Sequence, residues 1–320
     1  MPVGASKLEA YAHLALAMAT VGSIFPASKV IAAGLPPFVA GAIRLAVAAA
    51  VLLPWAAARQ PSALRTRFDR HDATLLALQA AAGTVGFTVL MLTGTARTSA
   101  SDASVVAGSL PAVAALVSML LFRERPGARR TVAIALAVCG VAAVNVPSMS
   151  RGGPGPGRLV GNLLVLGAVA SESLFILLNK RLHQPLPALA QSAVMTALGL
   201  AYLLPAALVE AASLDLGALS VATWLAVAYY GLVPTVLGNI WWYKGAEKVS
   251  GAEAGVFTAV MPLSGAALSA LVLGERLGLE HGIGLVLVLA AIALAASERG
   301  GEPAGRPRTD VTNAAGIQAP

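Results

Sequence analysis

Ten apolar stretches, each about as long as a bilayer-spanning helix of roughly 20 residues, follow one another along this 320-residue chain. They constrain its fold more than any other feature. The predicted spans are residues 10–32, 35–56, 73–95, 103–122, 131–147, 159–180, 187–210, 221–243, 254–273 and 281–297. The stretches are continuously apolar and do not alternate with a period of two, which favours helices over a β-barrel. The sequence therefore predicts an all-α integral membrane protein with ten transmembrane helices.

The composition excludes a soluble fold. Hydrophobic residues make up 57% of the chain and charged residues 12%, with a mean hydropathy of +0.77. A soluble protein carries about 25% charged residues, so this chain has too few charges to cover a soluble surface. The single cysteine, Cys139, excludes an intramolecular disulfide framework. The four histidines are scattered at positions 13, 71, 183 and 281, so the sequence predicts no metal site and no cofactor.

The distribution of basic residues predicts the orientation. With the N-terminus placed inside, sixteen of the 22 Lys and Arg residues fall in inner segments and four in outer segments. Cytoplasmic loops of membrane proteins are enriched in Lys and Arg, so both termini are predicted to be cytoplasmic. Orientation therefore accounts for most of the net charge of +7, which gives no indication of nucleic-acid binding.

An internal repeat emerges when the chain is compared with itself at an offset of 151 residues. The matched pairs are Pro54 and Pro205, Thr84 and Thr235, Gly94 and Gly245, Asp102 and Glu253, Pro111 and Pro262, and Glu124 and Glu275. Pro111 and Glu124 are thirteen residues apart, and so are their counterparts Pro262 and Glu275. Chance matches of Ala and Leu do not produce such a pattern.

Each half contains five predicted spans, an odd number, so the second half must be inverted relative to the first. We divide the chain into a first five-helix repeat (1–147), a periplasmic linker (148–158), a second five-helix repeat (159–297) and a disordered cytoplasmic tail (298–320). Inverted repeats are typical of secondary transporters, whose substrate site lies near the bilayer midplane between the repeats.

The aligned segments also resemble a known family. The run from Thr98 to Val106, followed by Pro111 and Glu124, has its second copy in Ser250 to Val256, Pro262 and Glu275. This pattern is similar to the ten-span EamA-type branch of the drug/metabolite transporter superfamily, over residues 10–297. The resemblance implies a carrier of the bacterial inner membrane that exports amino acids or related metabolites by alternating access.

Two charged residues inside the spans are candidates for substrate binding or coupling, because burying a charge in a bilayer is costly. Glu172 near the middle of the sixth span is predicted to bind a substrate ammonium group or to carry a coupling proton. The alternative is a structural carboxylate paired with a neighbouring group. Arg44 in the second span is suited to a substrate carboxylate, but an arginine that pairs helices or reaches the interface is the preferred interpretation.

Uncharged polar residues complete the candidate set. Substrate contact or hydrogen bonding between helices is predicted for Gln79, Asn179, Tyr229, Tyr230 and Asn239. The run Trp241-Trp242-Tyr243 is typical of an aromatic belt at the membrane surface. Pro111 and Pro262 lie within their spans and predict matched bends that fit gating helices, or plain packing.

A secondary carrier is the function that these observations favour. A membrane enzyme is the remote alternative, since no catalytic motif of the HExxH or GxSxG type occurs in the sequence. Two substrates remain open within the carrier class: a zwitterionic amino acid or related metabolite, and a hydrophobic cation exchanged for protons. The predicted partners are a small-molecule substrate and the lipid bilayer, with no nucleic acid, and the chain is expected to be a monomer or homodimer.

Overall fold

The computed structural model describes residues 3–122, 127–150, 157–249 and 251–297, and all regular structure within them is helical. The predicted tail, 298–320, and most of the predicted linker lie outside the described residues. A chain in hydrocarbon must satisfy its backbone groups internally, which helices do.

The first half of the chain forms nine helices. They are α1 (Val3–Gly22), α2 (Ile24–Ala32), α3 (Pro37–Arg59), α4 (Pro61–Leu64), α5 (Arg70–Gln79), α6 (Phe87–Arg97), α7 (Ala100–Ala107), α8 (Leu110–Phe122) and α9 (Ala128–Ser150). A first π-helical segment, Ala80–Gly86, joins α5 to α6. α9 therefore continues into the residues that the sequence assigned to the linker.

The second half forms seven helices. They are α10 (Gly157–Asn179), α11 (Ala188–Ala211), α12 (Val221–Leu232), α13 (Gly238–Ala246), α14 (Gly251–Phe257), α15 (Val260–Leu273) and α16 (Leu279–Ser297). A second π-helical segment, Val233–Leu237, joins α12 to α13, and a short 3₁₀ turn, Leu216–Ala218, precedes α12.

Eight helical spans in the described residues are long and apolar enough to cross a bilayer, and a ninth is reached if the bent pair α7–α8 counts as one. The apolar part of α9, Thr131–Asn145, is shorter than a full span. The predicted count of ten is therefore not reached by length and composition alone. The structure nevertheless agrees with a multi-pass membrane protein, and large apolar side chains such as Leu120 and Leu271 are about 80% exposed on its outside.

Helix boundaries recur along the chain. The helices α3, α5, α6, α7 and α9 begin 151 residues before α11, α12, α13, α14 and α16 begin, respectively. The two π-helical segments and the breaks before α8 and α15 fall at nearly the same offset.

Contacts between the halves are reciprocal. α1 packs on α13 and α15, while α10, its counterpart in the second half, packs on α6 and α8. α3 packs on α11, and α9 on α16. At the α6–α10 crossing, a Cβ on Gly161 would lie 2.8 Å from the backbone nitrogen of Thr98, so only glycine permits this approach.

The bundle has two ends, which we name by their residues. The N-terminal face carries the start of α1 with Lys7, and the distal face carries the end of α2 with Lys29. At the distal face, the Lys29 ammonium donates to the carbonyl oxygens of Thr95 and Thr98 at 2.9 and 2.7 Å. These bonds satisfy carbonyls left open at the end of α6.

Candidate functional site

Arg44 on α3 is the charged residue around which the interior polar groups gather. Its side chain is buried, and its two terminal nitrogens donate to Thr235 Oγ1 at 3.0 Å and Thr88 Oγ1 at 2.6 Å. The guanidinium carbon lies 4.7 Å from the centre of the Tyr230 ring, a cation–π contact. The Nε of Arg44 is buried and has no hydrogen-bond partner in the part of the chain that the structure describes.

The threonines that hold Arg44 lie in or just after the two π-helical segments: Thr235 is in the second segment, and Thr88 is the second residue of α6. A π-turn displaces the usual hydrogen-bond pattern and leaves a backbone carbonyl open to a side chain. Thr235 Oγ1 donates to the carbonyl of Tyr230 at 2.9 Å, and Thr88 Oγ1 donates to that of Thr84 at 2.5 Å. Arg44 therefore joins the π-helical regions of both halves, which explains why this arginine does not extend to an interface.

Glu172 on α10 faces the same interior region and is half-buried. It makes no hydrogen bond, and no ion pair within 4.0 Å, with any residue that the structure describes. Its electrostatic neighbours are Arg44, Tyr230 and Tyr243. A carboxylate and a guanidinium thus lie in one region without forming a direct ion pair.

Two pairs of amides and hydroxyls border this region. Gln191 Nε2 donates to Gln79 Oε1 at 3.0 Å, and both side chains are buried at the start of the first π-helical segment and on α11. The remaining amide atoms, Gln79 Nε2 and Gln191 Oε1, have no hydrogen-bond partner among the residues with described positions. Asn239 Nδ2 reaches Ser192 Oγ at 3.4 Å, a weak bond between α13 and α11.

Two of the sequence candidates lie apart from this group. Asn179 is the last residue of α10, seven residues or about 10 Å beyond Glu172. Tyr229 is exposed, and its hydroxyl donates to Ser23 Oγ at 2.7 Å where α1 gives way to α2. Tyr243, by contrast, has Glu172 and Ser192 as polar neighbours, so it is not confined to a surface belt.

The prolines lie just after helix breaks. α7 and α8 meet at an angle of 51°, and Pro111 is the second residue of α8. Pro262 is the third residue of α15, after the break that follows Phe257. Proline has no N–H to donate and is tolerated in the first turn of a helix, which accounts for both positions.

The distal face carries a buried charge network that the sequence analysis did not select. Asp102 is fully buried, and Arg158 binds it through two nitrogens, with Nη2 at 2.7 Å from Oδ1. His281 Nε2 lies 2.9 Å from the same oxygen. The N–H of Gly278 donates to His281 Nδ1, so His281 carries its proton on Nε2 and donates it to Asp102.

A counterpart of this ion pair lies at the N-terminal face. Lys7 Nζ is 3.4 Å from Glu253 Oε1, and these residues are offset by 151 positions from Arg158 and Asp102. The Lys7 and Glu253 side chains are 52% and 33% exposed, whereas Asp102 is inaccessible to solvent. The described residues therefore have a dry ion pair at one end of the bundle and a solvated one at the other.

A cavity at the distal face is not lined by Arg44 or Glu172. It has a volume of about 500 Å³ and is lined by Lys29, Gly34, Ser220 and Thr223, among others. These residues belong to the end of α2 and the start of α12.

Comparisons with known proteins agree on one family. A sequence profile described as the EamA-like transporter family matches residues 9–146 and again 159–297. The uncharacterized transporter YetK of Bacillus subtilis is 33% identical over 89% of this chain and 86% of its own length. The uncharacterized transporter YyaM of the same organism is 21% identical over 67% of this chain and 70% of its own. A crystal structure with 20% identity superposes with a TM-score of 0.60 over 92% of this chain and 98% of the other.

Proposed function

The chain belongs to the EamA-like transporter family, and from that membership we propose that it is a secondary transporter of zwitterionic metabolites such as amino acids. The family and the names of the relatives point to membrane transport of small molecules and away from catalysis. The Arg44–Glu172 region is the proposed substrate site, and export across a bacterial inner membrane by alternating access is the proposed activity.

The buried Arg44, whose Nε has no hydrogen-bond partner among the described residues, carries this proposal. Buried atoms without a hydrogen-bond partner among the described residues include Arg44 Nε, Tyr230 Oη, Ser28 Oγ, Gln79 Nε2 and Gln191 Oε1. Leaving such an atom unpaired costs about 1–3 kcal/mol, so a polar ligand or water is expected to occupy the region. Two of these atoms, Arg44 Nε and Tyr230 Oη, belong to side chains in direct contact, since the guanidinium carbon lies 4.7 Å from the centre of the Tyr230 ring.

A zwitterion fits the charges of this region. An α-amino acid carries its carboxylate and its ammonium group on the same carbon atom, and Arg44 and Glu172 offer one complementary charge to each. Arg44 Nε would donate to the carboxylate, while Glu172, which makes no hydrogen bond with any described residue, would accept from the ammonium group. The bound substrate would thereby bridge α3 of the first half and α10 of the second.

Alternating access is supported by the paired architecture. Matching helix boundaries, reciprocal packing and the profile that matches each half are what two structurally equivalent repeats would produce. The five crossings predicted for each repeat would invert the second repeat, which is the arrangement that the positive-inside rule also favours. In that arrangement, the Asp102–Arg158 pair would hold helix ends together at the distal face in one state of the cycle and would separate in the other.

Energy for the transport cycle would come from the substrate gradient or from proton exchange at Glu172. Protonation of this carboxylate would weaken its attraction for an ammonium group and so release the substrate. The carboxylate would then need to lose its proton before the next substrate binds. Coupling at one residue requires no further buried acid.

A hydrophobic cation is the second candidate substrate. Tyr230 and Tyr243 are both electrostatic neighbours of Glu172, and aromatic faces attract organic cations. Arg44 argues against this alternative, because a cation entering the region would meet a fixed positive charge. The zwitterion avoids that repulsion.

Counterflow into proteoliposomes tests the proposed function. Vesicles loaded with an unlabelled compound are given the labelled form, and a panel of amino acids, sugars and cationic drugs is compared with protein-free vesicles. We expect uptake above the protein-free level for one or more amino acids and none for sugars. Uptake of cationic drugs alone would overturn the zwitterion proposal in favour of the second candidate, and a flat response to the whole panel would contradict both.

A further inference from the structure

Four potential metal ligands meet at the N-terminal face, well away from the Arg44–Glu172 region. Asp69, His71 and Asp72 lie at the start of α5, and His183 lies in the turn after α10, more than 100 residues later. One ligand atom from each side chain can be chosen so that all four lie within 4.8 Å of one another. Three ligands from the first half of the chain and one from the second thus lie in one small volume.

The two histidine rings direct the same kind of atom toward the carboxylates. The rings are stacked, with centres 4.2 Å apart and planes 14° from parallel. His71 Nδ1 is 3.1 Å from Asp72 Oδ1, while His183 Nδ1 is 3.3 Å from Asp69 Oδ2 and 3.8 Å from Asp72 Oδ1. Both Nδ1 atoms therefore face the acidic side chains instead of bulk solvent.

The two carboxylates are held in their charged form and in place. Asp69 caps α5 by accepting the N–H of Asp72 at 2.7 Å, and this bond lowers the pKa of Asp69 below its ordinary value. Asp72 is buried and accepts the N–H groups of His183 and Gln184 at 3.0 and 2.9 Å. Asp72 on α5 is thus already hydrogen-bonded to the turn that carries His183.

We propose that Asp69, His71, Asp72 and His183 form a binding site for one Zn²⁺-class divalent transition-metal ion. Two imidazole nitrogens select this class over Mg²⁺ and Ca²⁺, which prefer sites made entirely of oxygen. The two carboxylates neutralise the charge of the ion, so a metal-loaded cluster is electrically balanced at a half-exposed position.

Small side-chain movements are enough to complete the site. Tetrahedral Zn²⁺ with bonds of about 2.0–2.2 Å brings its ligand atoms to roughly 3.3 Å from one another. His71 and His183 side chains are 49% and 62% exposed, so their rings can turn without disturbing the core. A neutral histidine that donates from Nδ1 would move its proton to the solvent-facing Nε2, and Nδ1 would then bind the metal.

Metal binding would connect the two halves of the chain. α5 ends at Gln79 and continues through the first π-helical segment to α6 and Thr88, while α10 carries Glu172 and ends shortly before His183. The bound ion would add a cross-link at the N-terminal face between these two elements. That cross-link is independent of which substrate the protein carries.

Equilibrium dialysis of the full chain against Zn²⁺ tests this site. The protein is purified in detergent without an affinity tag and carries Cys139→Ser, because the exposed thiol is itself a zinc ligand. Bound zinc is measured by elemental analysis, and we expect one ion per chain that Mg²⁺ and Ca²⁺ do not displace. Combining His71→Ala with His183→Ala is expected to weaken zinc binding more than tenfold, since even outer-shell changes cost about 10–100-fold.

Matched variants separate loss of the site from loss of the fold. His13→Gln removes a histidine elsewhere on α1 and should keep the full zinc stoichiometry. His183→Gln alone keeps the backbone N–H that donates to Asp72. Without zinc, this variant should therefore have the same unfolding temperature as the zinc-free wild-type protein. It should still bind zinc, but weakly. Absence of bound zinc in the Cys139→Ser protein, or unchanged affinity in the double histidine variant, would overturn the proposal.

Discussion

Replacing Glu172 by glutamine is expected to lower amino-acid counterflow by at least tenfold and up to about 100-fold. Glutamine preserves the size of the side chain but removes the negative charge that the substrate ammonium group requires. A hydrogen bond to a charged group contributes about 1.5–3 kcal/mol. Each factor of ten in affinity corresponds to about 1.4 kcal/mol, so losing this hydrogen bond lowers the uptake rate by the stated factor if substrate binding limits transport. Initial uptake rates at sub-saturating substrate measure it.

An exposed glutamate provides the matched control for this substitution. Glu9 forms an ion pair with Lys248 at 2.9 Å, and its side chain is 57% exposed. Exposed ion pairs contribute about 0–1 kcal/mol, so Glu9→Gln should leave the uptake rate nearly unchanged. A Glu172→Gln protein with wild-type rates and wild-type pH dependence would refute the coupling role of Glu172.

Replacing Asp102 by asparagine is expected to destabilise the folded protein by about 3 kcal/mol or more. The substitution leaves Arg158 partly buried without the carboxylate that both of its bonded nitrogens contact. Breaking one partner of a buried ion pair costs about 3–5 kcal/mol because the remaining charge is uncompensated. Asparagine keeps one acceptor oxygen but places an amide NH2, a donor, where the second oxygen accepts from Arg158 and Thr98. Denaturant unfolding in detergent, followed by intrinsic fluorescence, measures the change in the free energy of unfolding.

Glu253→Gln is the control at the opposite end of the bundle. Glu253 occupies the position offset by 151 residues, accepts from Tyr11 at 2.7 Å, and forms a solvated ion pair with Lys7. Because water screens this pair, the free energy of unfolding should fall by less than about 1 kcal/mol. Equal losses for the two substitutions would contradict the distinction between a dry distal face and a solvated N-terminal face.

The helical membrane fold was predictable because the apolar stretches are long and continuous. The positions of the breaks within the helices could not be predicted from the sequence. The fourth predicted span, 103–122, is two helices that bend by 51° just before Pro111, so the proline marks the bend without lying at its centre. α9 begins with polar and basic residues, including Arg129, so its apolar part is shorter than the other spans.

The charged candidates and some neutral ones, such as Tyr230, could be selected from the sequence, whereas Thr88 and Gln191 could not. Arg44 and Glu172 stand out because charges are rare inside membrane spans. Gln191 and Thr88 resemble any other polar residue in a span, and their contacts depend on the π-helical segments. A π-turn depends on tertiary packing and has no pattern of its own in the sequence, so the residues it positions emerged only in three dimensions.

The distal network and the His-Asp cluster were missed for a different reason. Asp102 and His281 are 179 residues apart, and Asp72 and His183 are 111 apart. Their pairing depends on which ends of which helices meet, and no short motif encodes that meeting. The 151-residue offset matched Asp102 with Glu253, but it gave no sign of the difference in burial between them.

The zwitterion site is tested most directly by comparing one transported amino acid with its two half-charged analogues in the same vesicles. The decarboxylated analogue keeps only the ammonium group, and the deaminated analogue keeps only the carboxylate. We predict that each competes with the labelled amino acid at least tenfold more weakly than the intact zwitterion, because each loses one charged contact of about 1.5–3 kcal/mol. An amine that competes as well as the amino acid would contradict a role for Arg44 in binding the carboxylate and would favour the cation carrier.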